Sequence, residues 1–159
     1  MLRAQHGPMR RHVPATVIAT VGAAAYSVSK VDLALRGELG MPGFPAPAAS
    51  YDSYEPFAGQ LSNAAMGALL VLLIVALLRL PGARWGRRVL LLGNGIGVVM
   101  IGAGVLGFTA RATGVIPSLG APAENAAAWV ALTVGAVWTV AWMAAIRGAA
   151  RSTRPQPTR

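Results

Sequence analysis

Residues 89–110, VLLLGNGIGVVMIGAGVLGFTA, run for 22 positions without a charge and are bracketed by Arg88 and Arg111. At about 1.5 Å per residue such a stretch extends about 33 Å as a helix, enough to cross the hydrocarbon of a bilayer. It predicts a membrane span, and this constrains the rest of the chain. At about 100° per residue, Gly93, Gly97, Met100, Gly104 and Gly107 share one stripe, while Gly95 and Gly102 lie nearly opposite. In lipid, apolar surface alone gives helices little reason to associate, whereas missing side chains let backbones approach. The glycines place this helix at the centre of a bundle, with neighbours on two sides. The competing reading is that glycine is simply frequent in membrane helices.

Three further apolar stretches accompany it. The first, about residues 13–35, opens with Pro14, whose missing N–H has no helical partner in a first turn, and repeats Ala15, Ala19 and Ala23 at four-residue spacing. Arg10 and Arg11 before it and Ala23-Ala24-Ala25 within it also fit a cleaved signal peptide. The helical pattern continues through Val31, Leu33 and Leu35, however, so retention as a span is expected. The second stretch, 61–80, holds LLVLLIVALL, ends at Pro81-Gly82, and is expected to face lipid most. Near its start, Ser62, Asn63, Ala64 and Gly67 point to helix contact. The last, 126–146, spaces Ala131, Gly135 and Thr139 by four and carries Trp129 and Trp142 toward its two ends, as an aromatic belt would.

Between these spans lie two long connections and one short one. Residues 36–60 are rich in glycine and proline without periodicity, which predicts a loop, either a linker or a lid. Tyr51, Tyr54 and Phe57 give it an aromatic cluster suited to the headgroup level. Residues 81–88, with Trp85 as an interfacial anchor, are short enough to make the second and third helices antiparallel neighbours. Residues 111–125 contain Pro117 and Pro122 and form another loop. The expected organisation is a basic segment at 1–12, an all-α, four-helix membrane domain at 13–146 and a basic, disordered tail at 147–159.

Charge orients the bundle. Arg3, Arg10, Arg11, Arg79, Arg84, Arg87, Arg88, Arg147, Arg151, Arg154 and Arg159 all fall on one side of the spans. The five acids, Asp32, Glu38, Asp52, Glu55 and Glu124, fall on the other, accompanied by Lys30, Arg36 and Arg111. By the positive-inside rule both termini are cytoplasmic. The net charge of +9 is then accounted for by attraction to anionic lipid headgroups, and nucleic acid is not expected as a partner. Thirteen arginines against one lysine, with abundant alanine, suggest a GC-rich bacterial coding sequence, and hence a multi-pass protein of the plasma (inner) membrane.

The inventory for chemistry is short. The chain has no cysteine, which excludes disulfides, thiolate metal sites and dithiol redox chemistry. His6 and His12 both precede the first span, so imidazoles are missing where an intramembrane haem would need them, and no cofactor or metal is expected. No nucleophile stands near a base, and no carboxylate lies in mid-membrane, so the chain does not read as an enzyme or as a small proton-coupled exporter. The ligand-binding candidates are Lys30, Asp32, Asn63, Tyr51 and Tyr54. Asp32 and Arg36 can pair along the helix, which leaves Lys30 to snorkel or to meet Asp52, Glu55 or Glu124. Asn94 is suited to bond across to a neighbouring helix. Gly93, Gly97, Gly104, Gly107 and Gly135 are the helix-packing candidates.

Lys30, Ala34, Leu35 and Gly37, running into Gly40, Pro42 and Gly43, resemble the end of the first helix in a family of small uncharacterised four-helix bacterial membrane proteins. Leu33 and Arg36 stand where that pattern has tryptophan and glycine. The resemblance implies a four-span fold and weight on Lys30, and it carries no activity. Three functions follow as expectations: a non-enzymatic component binding a lipid-like ligand or a partner membrane protein, an oligomeric transporter or channel subunit, and a membrane oxidoreductase. The missing cysteine and the placement of the histidines count against the third.

Overall fold

The computed structural model describes residues 12–152. Most of the basic N-terminal segment, with Arg3, His6, Arg10 and Arg11, lies outside the described residues, as does the end of the tail with Arg154 and Arg159. The expected disorder of that tail end therefore also falls outside them.

The chain forms α1 (Val13–Arg36), a hairpin of β1 (Gly40–Met41) and β2 (Phe44–Pro45), a short α2 (Ala49–Ser53), α3 (Pro56–Ala76), α4 (Arg84–Ala112), a 3-10 turn at Pro117–Leu119, and α5 (Ala126–Arg151). Among the described residues, α1, α3, α4 and α5 are the four helices long and apolar enough to cross a membrane. α1 packs along α3 and α5, and α4 packs along α5 and more lightly along α3. The long helices thus follow one another around a ring.

Local chemistry explains where they begin. The Glu55 carboxylate accepts the N–H groups of Phe57 and Ala58, and Pro56 fills the first turn, so α3 starts ahead of the expected Leu61. The Asn125 side chain accepts from the Ala128 N–H at 2.9 Å and caps α5. α4 opens at Arg84 and absorbs most of the basic connection, and α5 runs on to Arg151.

The interior is filled from α5 and α3. Trp138 and Trp142 stack with centroids 5.9 Å apart, and Leu70 and Ile74 of α3, with Leu77 just past its end, close on them. The small-residue stripe of α1 receives this bulk: Ala19 and Ala23 are fully buried, and a Cβ on Gly22 would stand 2.5 Å from Trp138. In lipid such close approach is rewarded by dispersion contacts rather than by release of water.

The third span is not the centre of the bundle. α4 is the least buried of the four long helices, and the LLVLLIVALL helix is covered more than it is. The physical reason lies in which side chains fill the space. At Gly97 a Cβ would meet the Trp142 ring at 2.5 Å, so this position is a recess for the indole. Gly93 lies near Leu73, with 3.6 Å from its would-be Cβ, and Gly135 meets Val105 at 3.0 Å. A Cβ on Gly104 or Gly107 would meet nothing within 4 Å. The glycine stripe therefore packs at its start and faces outward at its end. Trp142 is wholly buried and belongs to the interior rather than to an aromatic belt, whereas Trp129 and Trp85 are exposed.

A second, smaller core of Phe44, Ala112, Ala128 and Leu132, flanked by Met41, Phe108 and Ala123, seats the hairpin against the ends of α4 and α5.

Candidate functional site

The segment expected to be a loop is folded into a hairpin where it leaves α1. Gly40 and Gly43 adopt φ of 114° and 70°, values that side-chain-bearing residues rarely take, and a Cβ at either would collide with neighbouring atoms. These two glycines let residues 39–46 turn back on themselves, closed by the Ala46 N–H donating to the Leu39 carbonyl at 2.8 Å.

The hairpin is held by its main-chain oxygens. Lys30 Nζ donates to the Gly40 carbonyl. Gln60 Nε2 donates to the Glu38 carbonyl at 2.9 Å and reaches the Gly40 carbonyl at 3.4 Å. Asn125 Nδ2 donates to the Gly43 carbonyl at 2.6 Å, and Arg111 Nη1 to that of Pro45 at 2.8 Å. One donor thus comes from each of α1, α3 and α4, and a fourth from the cap of α5. The Arg111 guanidinium also lies 4.0 Å from the centroid of the buried Phe44 ring, a cation–π contact that fixes the tip.

Lys30 neither snorkels nor pairs with Asp52, Glu55 or Glu124. Its side chain is buried, with Nζ 5.3 Å from the Tyr26 ring centroid and on the Gly40 oxygen. The cause is local: Gly37 ends α1 and reverses the chain, which brings the Gly40 carbonyl back over the helix's last turns. Tyr51 takes part through its hydroxyl, which accepts the Leu39 N–H at 2.9 Å, while Tyr54 is exposed. Asn63 is exposed and shares no partner with Lys30; the amide that does so is Gln60. Among the described residues the Gln60 Oε1 is buried without a hydrogen bond.

Asp32 faces the other way. Its Oδ1 accepts both Nε and Nη2 of Arg36, at 3.1 and 3.0 Å, and the pair is more than half exposed. Asp32 also lines an open groove of about 580 Å³ between α1 and α3, walled by Val28, Val31 and Leu35 on one side and Leu61, Ala65 and Ala68 on the other. Below it the helices touch closely, since a Cβ on Gly67 would overlap Tyr26 and Ser27. Among the described residues, Asp32 is the one ionisable side chain lining the groove.

Gln60, Arg111 and Asn125 are the clamp residues that sequence reasoning missed. Gln60 had a signal, because it begins the face continued by Ala64, Gly67, Leu70 and Ile74, all buried. Arg111 had none, since a cation at the end of an apolar run ordinarily reads as a flank. Among the described residues, no cluster of three or more His, Asp or Glu side chains is placed to hold a metal ion. The chain matches no family model, no curated protein and no solved structure.

Proposed function

We propose that this is a non-enzymatic component of a bacterial plasma membrane, an antiparallel four-span bundle with both termini in the cytoplasm, and that it holds a lipid-like ligand in the α1/α3 groove. The observation that carries the reading is the groove itself: it is open on the side of the bundle and walled by aliphatic and small residues. With arginine-rich segments inside, the hairpin clamped by Lys30, Gln60, Arg111 and Asn125 lies outside, over a bundle whose interior Trp138 and Trp142 fill. Four thin helices closed on that interior leave little space for a solute path, whereas a lipid reaches the groove from the bilayer.

A second reading, a partner membrane protein or a second copy beside α4, is favoured by one specific observation: a Cβ on Gly104 or Gly107 would meet nothing within 4 Å among the described residues. An oligomeric transporter or channel subunit would assemble through the same face. The resemblance over residues 30–43 falls on the hairpin and the helix end beneath it, which suits a structural signature better than a chemical one.

The test is purification of the full chain in mild detergent followed by mass spectrometry of what stays bound. Lipid is expected to be retained at a defined ratio and lost when Ala65→Leu or Ala68→Leu fills the groove. A lipid-free protein that travels with another membrane protein would overturn the first reading in favour of the second.

A further inference from the structure

The rim of the groove carries a more specific message than its walls. We infer that its occupant is an amine-bearing, zwitterionic phospholipid, with an acyl chain between α1 and α3 and its headgroup on the Asp32–Arg36 pair; this rests on the lipid reading above. Both Arg36 nitrogens in the pair, Nε and Nη2, converge on the single oxygen Oδ1 of Asp32. Asp32 Oδ2 and Arg36 Nη1 make no hydrogen bond among the described residues, so the rim presents a free anionic acceptor beside free cationic N–H donors.

That arrangement complements a phosphate and a primary ammonium carried by one headgroup. The phosphate meets Nη1 and the ammonium donates to Oδ2, each as a charge-assisted bond. An anionic headgroup without an amine would bring its phosphate to Arg36 but leave Asp32 facing negative charge. Lys30, the cation that would relieve this, is buried and directed to the Gly40 carbonyl. A quaternary choline headgroup has no N–H to donate to Oδ2. Placement of the chain follows from the walls: Val31 and Leu35 flank Asp32 along the groove and continue into Val28, against Leu61 and Ala65 of α3.

The experiment is competition for the full-length protein. Delipidated protein is offered an equimolar mixture of phosphatidylethanolamine, phosphatidylcholine and phosphatidylglycerol with matched acyl chains, and bound lipid is read by native mass spectrometry. Phosphatidylethanolamine is expected to be enriched about two- to fivefold over either competitor, the range of one exposed charge pair. Asp32→Asn is expected to remove that preference while keeping total lipid, and Ala65→Leu to remove all three lipids. Both positions are exposed, and unchanged melting of each variant verifies the fold. Equal retention of the three lipids, enrichment of phosphatidylglycerol, or a preference that survives Asp32→Asn would overturn this inference and leave the lipid reading standing. Retention of no lipid by the parent chain would overturn both.

Discussion

The indole Nε1 of Trp142 donates to Oδ1 of Asn94 at 2.8 Å, so a buried side-chain hydrogen bond ties α5 to α4. The amide's other end donates to the Leu73 carbonyl at 3.1 Å and the Leu90 carbonyl at 2.9 Å, which brings α3 into the same junction. Beside it Gly97 makes the room that the indole needs. Three helices are therefore registered by one amide and one missing side chain.

Replacing Asn94 by Leu leaves the Trp142 N–H and the Leu73 carbonyl without their partner. A loss of about 1–2 kcal/mol in unfolding free energy is expected, measured by tryptophan fluorescence in a denaturing detergent titration. Trp142→Phe should cost less in the Asn94→Leu background than in the parent, because the shared bond is already gone. Strictly additive costs would show that the bond contributes nothing.

The glycines of α4 are expected to divide sharply. Gly97→Ala pushes a methyl into the Trp142 ring, and about 1–3 kcal/mol of destabilisation is expected from overpacking. Gly104→Ala and Gly107→Ala meet open space and should stay within about 0.5 kcal/mol of the parent. If those two outward changes instead alter cross-linking between chains while leaving the melt unchanged, the α4 face is an association surface.

Loosening the hairpin has its own readout. The chain lacks cysteine, so a single Met41→Cys reports without background. Met41 packs against the core that Phe44 anchors, and Arg111→Gln removes both the cation–π contact and the charged donor to Pro45. At about 1.5–3 kcal/mol for a hydrogen bond from a charged donor, maleimide labelling of that cysteine is expected to accelerate at least about tenfold. Lys30→Met should act in the same direction through Gly40. Unchanged labelling in both would mean that the clamp contributes no local stability.

Orientation is tested the same way. In intact cells an impermeant thiol reagent is expected to reach Ser53→Cys but not Ser152→Cys until the membrane is opened. The reverse pattern, or labelling of both, would overturn the assignment of the hairpin to the outer side.

The four apolar helices were legible in the sequence because apolar runs of this length with so few charges leave few alternatives. The ordering of the interior was not. Glycine stripes announce where backbones can approach, yet which recess is used depends on which neighbour supplies a large side chain. Trp142 supplies one to Gly97, and nothing among the described residues supplies one to Gly107. At the hairpin, Lys30 stood out as a cation within a span, but its partner is a backbone carbonyl, and carbonyls carry no signature in a string of residue names. The Asp32–Arg36 pair could be read from its spacing, since four residues along a helix bring side chains together without help from the tertiary fold.

The clamp has a corollary for substitution. Four side chains reach for oxygens that every amino acid possesses, at Glu38, Gly40, Gly43 and Pro45. Apart from the two glycines, Phe44 and the apolar Leu39 and Met41, the identity of a residue in that segment does not enter the fastening. Exchanges at the other positions would therefore alter the face of the hairpin while leaving its attachment to the helices in place.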